Sequence, residues 1–165
     1  MTSFNDMDFL IVGHGLAGAL LADAFERRGA KPIVAEASLP HAATPVAAGI
    51  LNPVIGPRLN APWRAAECLD MARETYRRLE TYWDITLFRE FRMLRLFDDE
   101  KMTKRWEQRR SEDAISSFLG KTFTSGEMRR MGVYSPFGAG DVLGAGALDT
   151  QGLVQASRRH LKKEG

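Results

Sequence analysis

The sequence predicts an α/β fold. Three observations carry that prediction: a short apolar run that enters a glycine-rich turn, an amphipathic segment after the turn, and a second apolar run that closes on an acid. Phe9-Leu10-Ile11-Val12 has no alternation, which suits a fully buried parallel strand. Residues 16–28 set Ala17, Leu20, Leu21, Ala24 and Phe25 at helical spacings, with Arg27-Arg28 in the last turn and Gly29 placed to stop the helix. Pro32 to Glu36 reads as a second buried strand. Strand, helix and strand within about 30 residues form a βαβ unit, whose crossover is expected to be right-handed.

Composition narrows the class of protein. The chain has 165 residues, 44% hydrophobic and 27% charged, which is ordinary for a globular domain and excludes disordered and collagen-like chains. No apolar run approaches the roughly 20 residues of a membrane helix, and no signal-peptide pattern opens the chain. The single cysteine, Cys68, excludes a disulfide framework and a cysteine-rich zinc site and points to a reducing cytoplasm. Net charge is +2, and the basic pairs sit on helical stretches among acids. They read as solvated helix faces, so nucleic-acid binding is not expected from charge.

The rest of the chain follows in order. Residues 37–60 hold four prolines and no period, yet Val46 to Leu51 is too apolar for a solvated linker and is expected to pack. Residues 62–83 make the strongest amphipathic helix, through Ala65, Leu69, Ala72, Tyr76, Leu79 and Trp83. Residues 86–97 read as one strand and 99–110 as a helix with Met102 and Trp106 one turn apart. Pro136-Phe137-Gly138 suggests a turn between two short strands within 132–148. Asp149 or Thr150 is placed to cap a last helix that carries Leu153, Val154, Ser157, His160 and Leu161 on one side.

Gly13-His14-Gly15-Leu16-Ala17-Gly18 is a GxGxxG between the first strand and helix, and Glu36 ends the second strand 23 residues after Gly13. In that context each residue has a physical task. Gly13 turns the chain, Gly15 admits a pyrophosphate to the backbone, and Gly18 lets helix and sheet approach. The helix start offers N–H groups and a partial positive charge to phosphates. Glu36 can accept from both hydroxyls of a ribose, and its charge disfavours a 2′-phosphate. The motif is that of a Rossmann-like dinucleotide site, and it does not choose between NAD and FAD.

Three stretches together resemble the FAD-dependent oxidoreductases of the D-amino-acid oxidase superfamily, glycine oxidase-like members above all. They are Phe9 to Glu36 with its fingerprint, the loop Ala47-Ala48-Gly49-Ile50-Leu51-Asn52-Pro53, and the run Gly144 to Val154 in which an acid opens a helix. The resemblance implies FAD as cofactor. Gly13, Gly15, Leu16, Ala17 and Gly18 would line its pyrophosphate and Glu36 its adenosine ribose, while Ala47, Ala48, Gly49 and Ile50 would run beside the isoalloxazine. It implies a small amine or amino-acid substrate that gives a hydride to flavin N5 from a C–H beside nitrogen. It also implies an FAD-binding portion at 1–83 and 141–165, with 84–140 a partial α+β substrate domain.

Members of that family run to more than twice this length and take their substrate-anchoring residues mostly from the part beyond. The chain is therefore expected to be an N-terminal fragment or truncated product, inactive by itself, and no catalytic residue is assigned. An incomplete sheet leaves an apolar face and a free edge, so self-association is expected. An NAD-linked protein and a non-catalytic nucleotide-binding remnant stay open as alternatives. Some relatives act on a wobble uridine of tRNA, which the basic pairs would tolerate. Among other residues, His14 is expected at the solvent or phosphate edge, and Cys68 in the helix core. Arg58 is expected at an anionic ligand or in a surface ion pair. His41 and His160 lack partners at ligand spacing, so no metal site is assigned.

Overall fold

A computed structural model of the chain describes residues 9–37 and 42–164, so Pro40 and His41 lie outside the described residues. The elements run β1 (Leu10–Val12), α1 (Leu16–Glu26), β2 (Ile33–Ala35), α2 (Ala43–Val46), β3 (Ile50–Leu51), α3 (Ala65–Trp83), β4 (Phe88–Glu90) and β5 (Met93–Leu96). They continue as α4 (Glu100–Arg110), α5 (Asp113–Ser116), β6 (Leu119–Phe123), α6 (Ser125–Arg130), β7 (Ala139–Val142), β8 (Gly146–Leu148) and α7 (Thr150–Glu164). The fold is mixed α/β, as the sequence predicts. No helix among the described residues is long and apolar enough to cross a membrane. Two compact units emerge: Met1–Gly49 with Leu79–Leu87 and Asp149–Gly165, and Ile50–Arg78 with Phe88–Leu148.

The first unit holds the βαβ. β1 and β2 pair in parallel, with Leu10 opposite Ile33, Ile11 opposite Val34 and Val12 opposite Ala35. The expectation of full burial fails here. Ile11 is buried, but Leu10, Val12 and Ile33 are 65%, 82% and 64% exposed. Successive strand residues point to opposite faces, so one face is covered and the other is open among the described residues. An apolar run records what a face can bury, not whether a layer is there to bury it. Helix α1 ends at Glu26 and the chain turns at Gly29, whose φ of 82° needs glycine. Buried Ala19 and Ala22 keep α1 slim, and α1 contacts α7. Asp149 opens α7 by accepting from Gly152 N at 2.8 Å, and Leu153, Val154 and Ser157 are buried on one side as expected.

The second unit has two three-stranded antiparallel sheets, ordered β3-β8-β4 and β5-β7-β6. Two strand expectations are corrected by this topology. Residues 86–97 form two strands in different sheets, with the break at Phe91-Arg92. β7 and β8 likewise join different sheets rather than each other, and the Pro136 turn leads into β7. Trp106 anchors the core. It is fully buried, lies 5.5 Å from the Phe97 ring, and donates to the Gly120 carbonyl at 3.4 Å. Asp99 caps α4 by accepting from Met102 N at 2.7 Å.

The apolar loop behaves unevenly. Pro53, Val54 and Leu59 are buried and Leu51 packs against the same core, while Val46, Ala47, Ala48 and Ile50 are exposed, so the packing expected of Val46 to Leu51 is made by Leu51 and not by those four. Cys68 is also corrected. It is an exposed free thiol, and its neighbour Leu69, with Ala65, Tyr76 and Leu79, is buried on α3 instead.

Candidate functional site

The glycine turn is shaped by space more than by torsion. Gly13 has φ 98°, which only glycine adopts readily, and its N–H donates to the Ala35 carbonyl at 2.8 Å, tying the turn to β2. A Cβ on Gly18 would lie 2.0 Å from the Gly13 carbonyl oxygen and 3.5 Å from Ile11 Cγ2, so no side chain fits where α1 meets β1. Gly15 stands at the N-cap of α1 in an extended conformation open to any residue, and it offers no side-chain cap. Its requirement is steric, since a Cβ there would sit 2.8 Å from Thr44 Oγ1.

Thr44 is the residue that pattern reading missed. Its hydroxyl accepts from Leu16 N at 3.0 Å, on the first N–H of α1, and its carbonyl accepts from Thr150 Oγ1 at 2.9 Å. An oxygen already sits at the place where the helix start attracts one. The available signal was a threonine, a common capping residue, inside an otherwise apolar loop.

Glu36 follows β2 and lines a cleft of ≈ 460 Å³ with His14, Val34, Arg158, Leu161 and Lys162. Its Oε1 accepts from Arg158 Nη2, while Arg158 Nε is buried with no hydrogen-bond partner among the described residues. His14 departs from expectation. It is buried, and its Nε2 pairs with Ser157 Oγ at 2.9 Å, because α7 runs beside the turn and supplies the partner. Burial pushes the His14 imidazole below the ordinary histidine value, with Arg158 adding to that and Glu36 opposing it.

The predicted residues therefore gather only in part. Gly13, Gly15, Leu16, Ala17, Gly18 and Glu36 meet around the βαβ unit. Ala47, Ala48 and Gly49 follow α2 in the same unit, with Gly49 at φ 66°. Ile50 begins the second unit, opposite Ala147 in β8. His160 Nε2 lies 3.1 Å from Glu26 Oε2, and Tyr82 packs edge-on against the ring at 5.4 Å. No His, Cys, Asp and Glu cluster suited to a metal occurs among the described residues. Gly146, in the third stretch, would drive a Cβ to 2.4 Å from Phe88 Cζ, which explains a glycine there.

A parallel βαβ unit with a glycine turn, joined to a unit of antiparallel sheets, defines the class: a two-unit α/β chain with a cradle at the start of its first helix. The chain belongs to the FAD-dependent oxidoreductase (DAO) family, whose model matches residues 8–165. Among solved structures it is similar to iminodiacetate oxidase from a Chelativorans species, at 22% identity and TM-score 0.73, over 95% of this chain and 45% of that one. Glycine oxidase from Bacillus cereus is similar at 19% identity and TM-score 0.72, over 96% and 44%. Glycine oxidase from Geobacillus kaustophilus gives 18% identity and TM-score 0.74, over 94% and 44%. The chain thus spans a little under half the length of these neighbours. No curated protein matches it.

Proposed function

We propose that this chain is the N-terminal, FAD-binding part of a flavin-dependent amine or amino-acid oxidoreductase. One observation carries the reading: the bare glycine turn, the start of α1 and Glu36 converge on one parallel βαβ unit in a chain of this family. The residues fit the cofactor. The turn excludes side chains where a diphosphate needs the main chain, and the helix start favours anions. Gly13, Gly15, Leu16, Ala17 and Gly18 would line the diphosphate, and Thr44 would stand beside it. Glu36 would hold the adenosine ribose and reject a 2′-phosphate. Ala47, Ala48, Gly49 and Ile50 would border the flavin ring, where small residues and main chain permit close approach.

Bound FAD supplies a hydride acceptor, flavin N5, for a C–H beside an amine nitrogen. The names of the neighbours favour a small amino acid or amine as substrate. In this reading 1–83 and 141–165 serve the cofactor, a range that contains most of the first unit, and 84–140 serves the substrate. We assign the protein to the cytoplasm on its composition. We also assign it a tendency to self-associate through the open β1–β2 face.

The test is the spectrum of the purified chain after addition of FAD. Retention of a flavin band at about 450 nm through gel filtration supports the reading, as does its loss on Gly15→Val. Binding of NAD in place of FAD selects a nicotinamide protein instead. Binding of nucleotide without a visible band selects a non-catalytic module.

A further inference from the structure

We propose that Arg158 is a positioning residue for the nucleotide end of the site, acting through Glu36; the inference rests on the FAD reading above. Glu36 closes β2, and Arg158 lies 122 residues later, in the third turn of α7. Both side chains are partly exposed, at 24% and 38%. A half-exposed pair of this kind adds little to stability, because water screens it. Its consequence is geometric: it decides where the acid stands.

The second observation is the buried Arg158 Nε, without a hydrogen-bond partner among the described residues. In a guanidinium, Nε–H and one terminal N–H form a fork that matches the two oxygens of a carboxylate. Nη2 of that fork is engaged with Oε1, and Nε is not. Buried donors without partners are rare and call for a reason. Nη2 alone holds Glu36 through Oε1, which fixes the carboxylate while leaving Oε2 free to accept from a ribose hydroxyl. Lys162 lines the same cleft.

The same pair sets a specificity. An arginine near the ribose can bind a 2′-phosphate, and here Glu36 keeps Arg158 engaged. Removing the acid frees Arg158 beside Lys162. The structure therefore assigns to Arg158 two opposite roles, selected by Glu36.

The experiment is calorimetric titration of the 165-residue chain with ADP and with adenosine 2′,5′-bisphosphate. It uses wild type, R158M, R158K, E36Q and the double variant R158M/E36Q, with the melting curve of each as a folding control. Loss of one oriented charge-assisted pair predicts about 10-fold weaker ADP binding for R158M, with part of it restored in R158K. In the E36Q background, R158M costs ADP nothing further. E36Q gains affinity for the 2′,5′-bisphosphate, and the double variant loses that gain. Normal ADP binding by folded R158M overturns the proposal, as do independent effects in the double variant. Should R158M not fold, R158K and E36Q decide it: wild-type ADP affinity in the first and no gain of bisphosphate affinity in the second overturn it. A wild-type chain that binds neither ADP nor FAD overturns the FAD reading, and this inference with it.

Discussion

His14 Nε2 lies 2.9 Å from Ser157 Oγ, two buried polar groups 143 residues apart, joining the glycine turn to the last helix. Burial of the ring predicts a pH dependence. The folded imidazole titrates below the ordinary histidine value, mainly through burial. Between the folded and unfolded values the unfolded chain binds more protons, so stability rises with pH in that window. The contribution is fully present above about 6.5, the unfolded value, and is lost as pH falls toward the folded one. Glu36 and Arg158 face the ring with opposite effects, and Lys162 shares the cleft. Denaturant melts between pH 5 and 8 (roughly the window where histidine titrates) should show a slope that His14→Gln removes. An unchanged slope in that variant would count against the assignment.

Gly18 and Gly15 should respond differently to alanine. At Gly18 the obstacle is main chain, the Gly13 carbonyl, and it cannot step aside. Gly18→Ala is expected to cost about 2–4 kcal/mol, in the range of a buried clash. At Gly15 the obstacle is the Thr44 hydroxyl alone. Gly15→Ala should weaken nucleotide binding, and Thr44→Ala in the same chain should recover the fold's stability. Equilibrium unfolding of the three variants separates the two cases. Equal losses at both glycines would contradict the geometry.

In the second unit, a Cβ on Gly140 would lie 2.2–2.5 Å from the Trp106 indole. The indole is fully buried and held by Phe97 and the Gly120 carbonyl. Gly140→Ala is expected to destabilise by roughly 1–3 kcal/mol through overpacking. Trp106 fluorescence should shift toward that of an exposed indole at lower denaturant. A wild-type unfolding curve would refute this.

The sequence announced the first unit better than the second, for a physical reason. Within β1, α1 and β2, neighbours in space are neighbours in sequence, and a turn that must be bare is written as glycine. Met102 and Trp106 likewise betrayed α4 through one helical turn. By contrast, residues 86–97 read as one strand because apolar and basic residues continue through Phe91-Arg92. Only pairing with β8 on one side and β7 on the other divides them. Glu36 and Gly18 were legible as parts of a known arrangement. Thr44, Ser157 and Arg158 were not, since each acquires its partner across 28, 143 or 122 residues. Cys68 shows the limit of helical periodicity, which gave it an inner place one position away from the buried Leu69.

Asp149 supplies a cap that can be tested alone. Its Oδ1 accepts from Gly152 N, and a Cβ on Gly152 would meet the same carboxylate at 2.4 Å from Oδ2. Asp149→Ala should cost about 1 kcal/mol, the usual worth of an N-cap, and Asp149→Asn much less. Because α7 carries Ser157 and Arg158, the alanine variant should also weaken ADP binding while leaving the Trp106 signal unchanged. A loss confined to the Trp106 signal would place the effect in the wrong unit.

The open face of the parallel pair predicts association. Leu10, Val12 and Ile33 project from one side of β1–β2 and stay 64–82% exposed. Among the described residues this two-stranded sheet has both outer edges unpaired, and an uncovered apolar edge strand pairs readily with another chain. The chain spans under half the length of its structural neighbours. A second copy can cover the face. Sedimentation of the purified chain should show mass rising with concentration, accompanied by binding of a hydrophobic dye. Val12→Lys with Ile33→Lys should abolish both without lowering secondary-structure content, because neither side chain is buried. A monomer that binds no dye at high concentration would show that this face needs no cover.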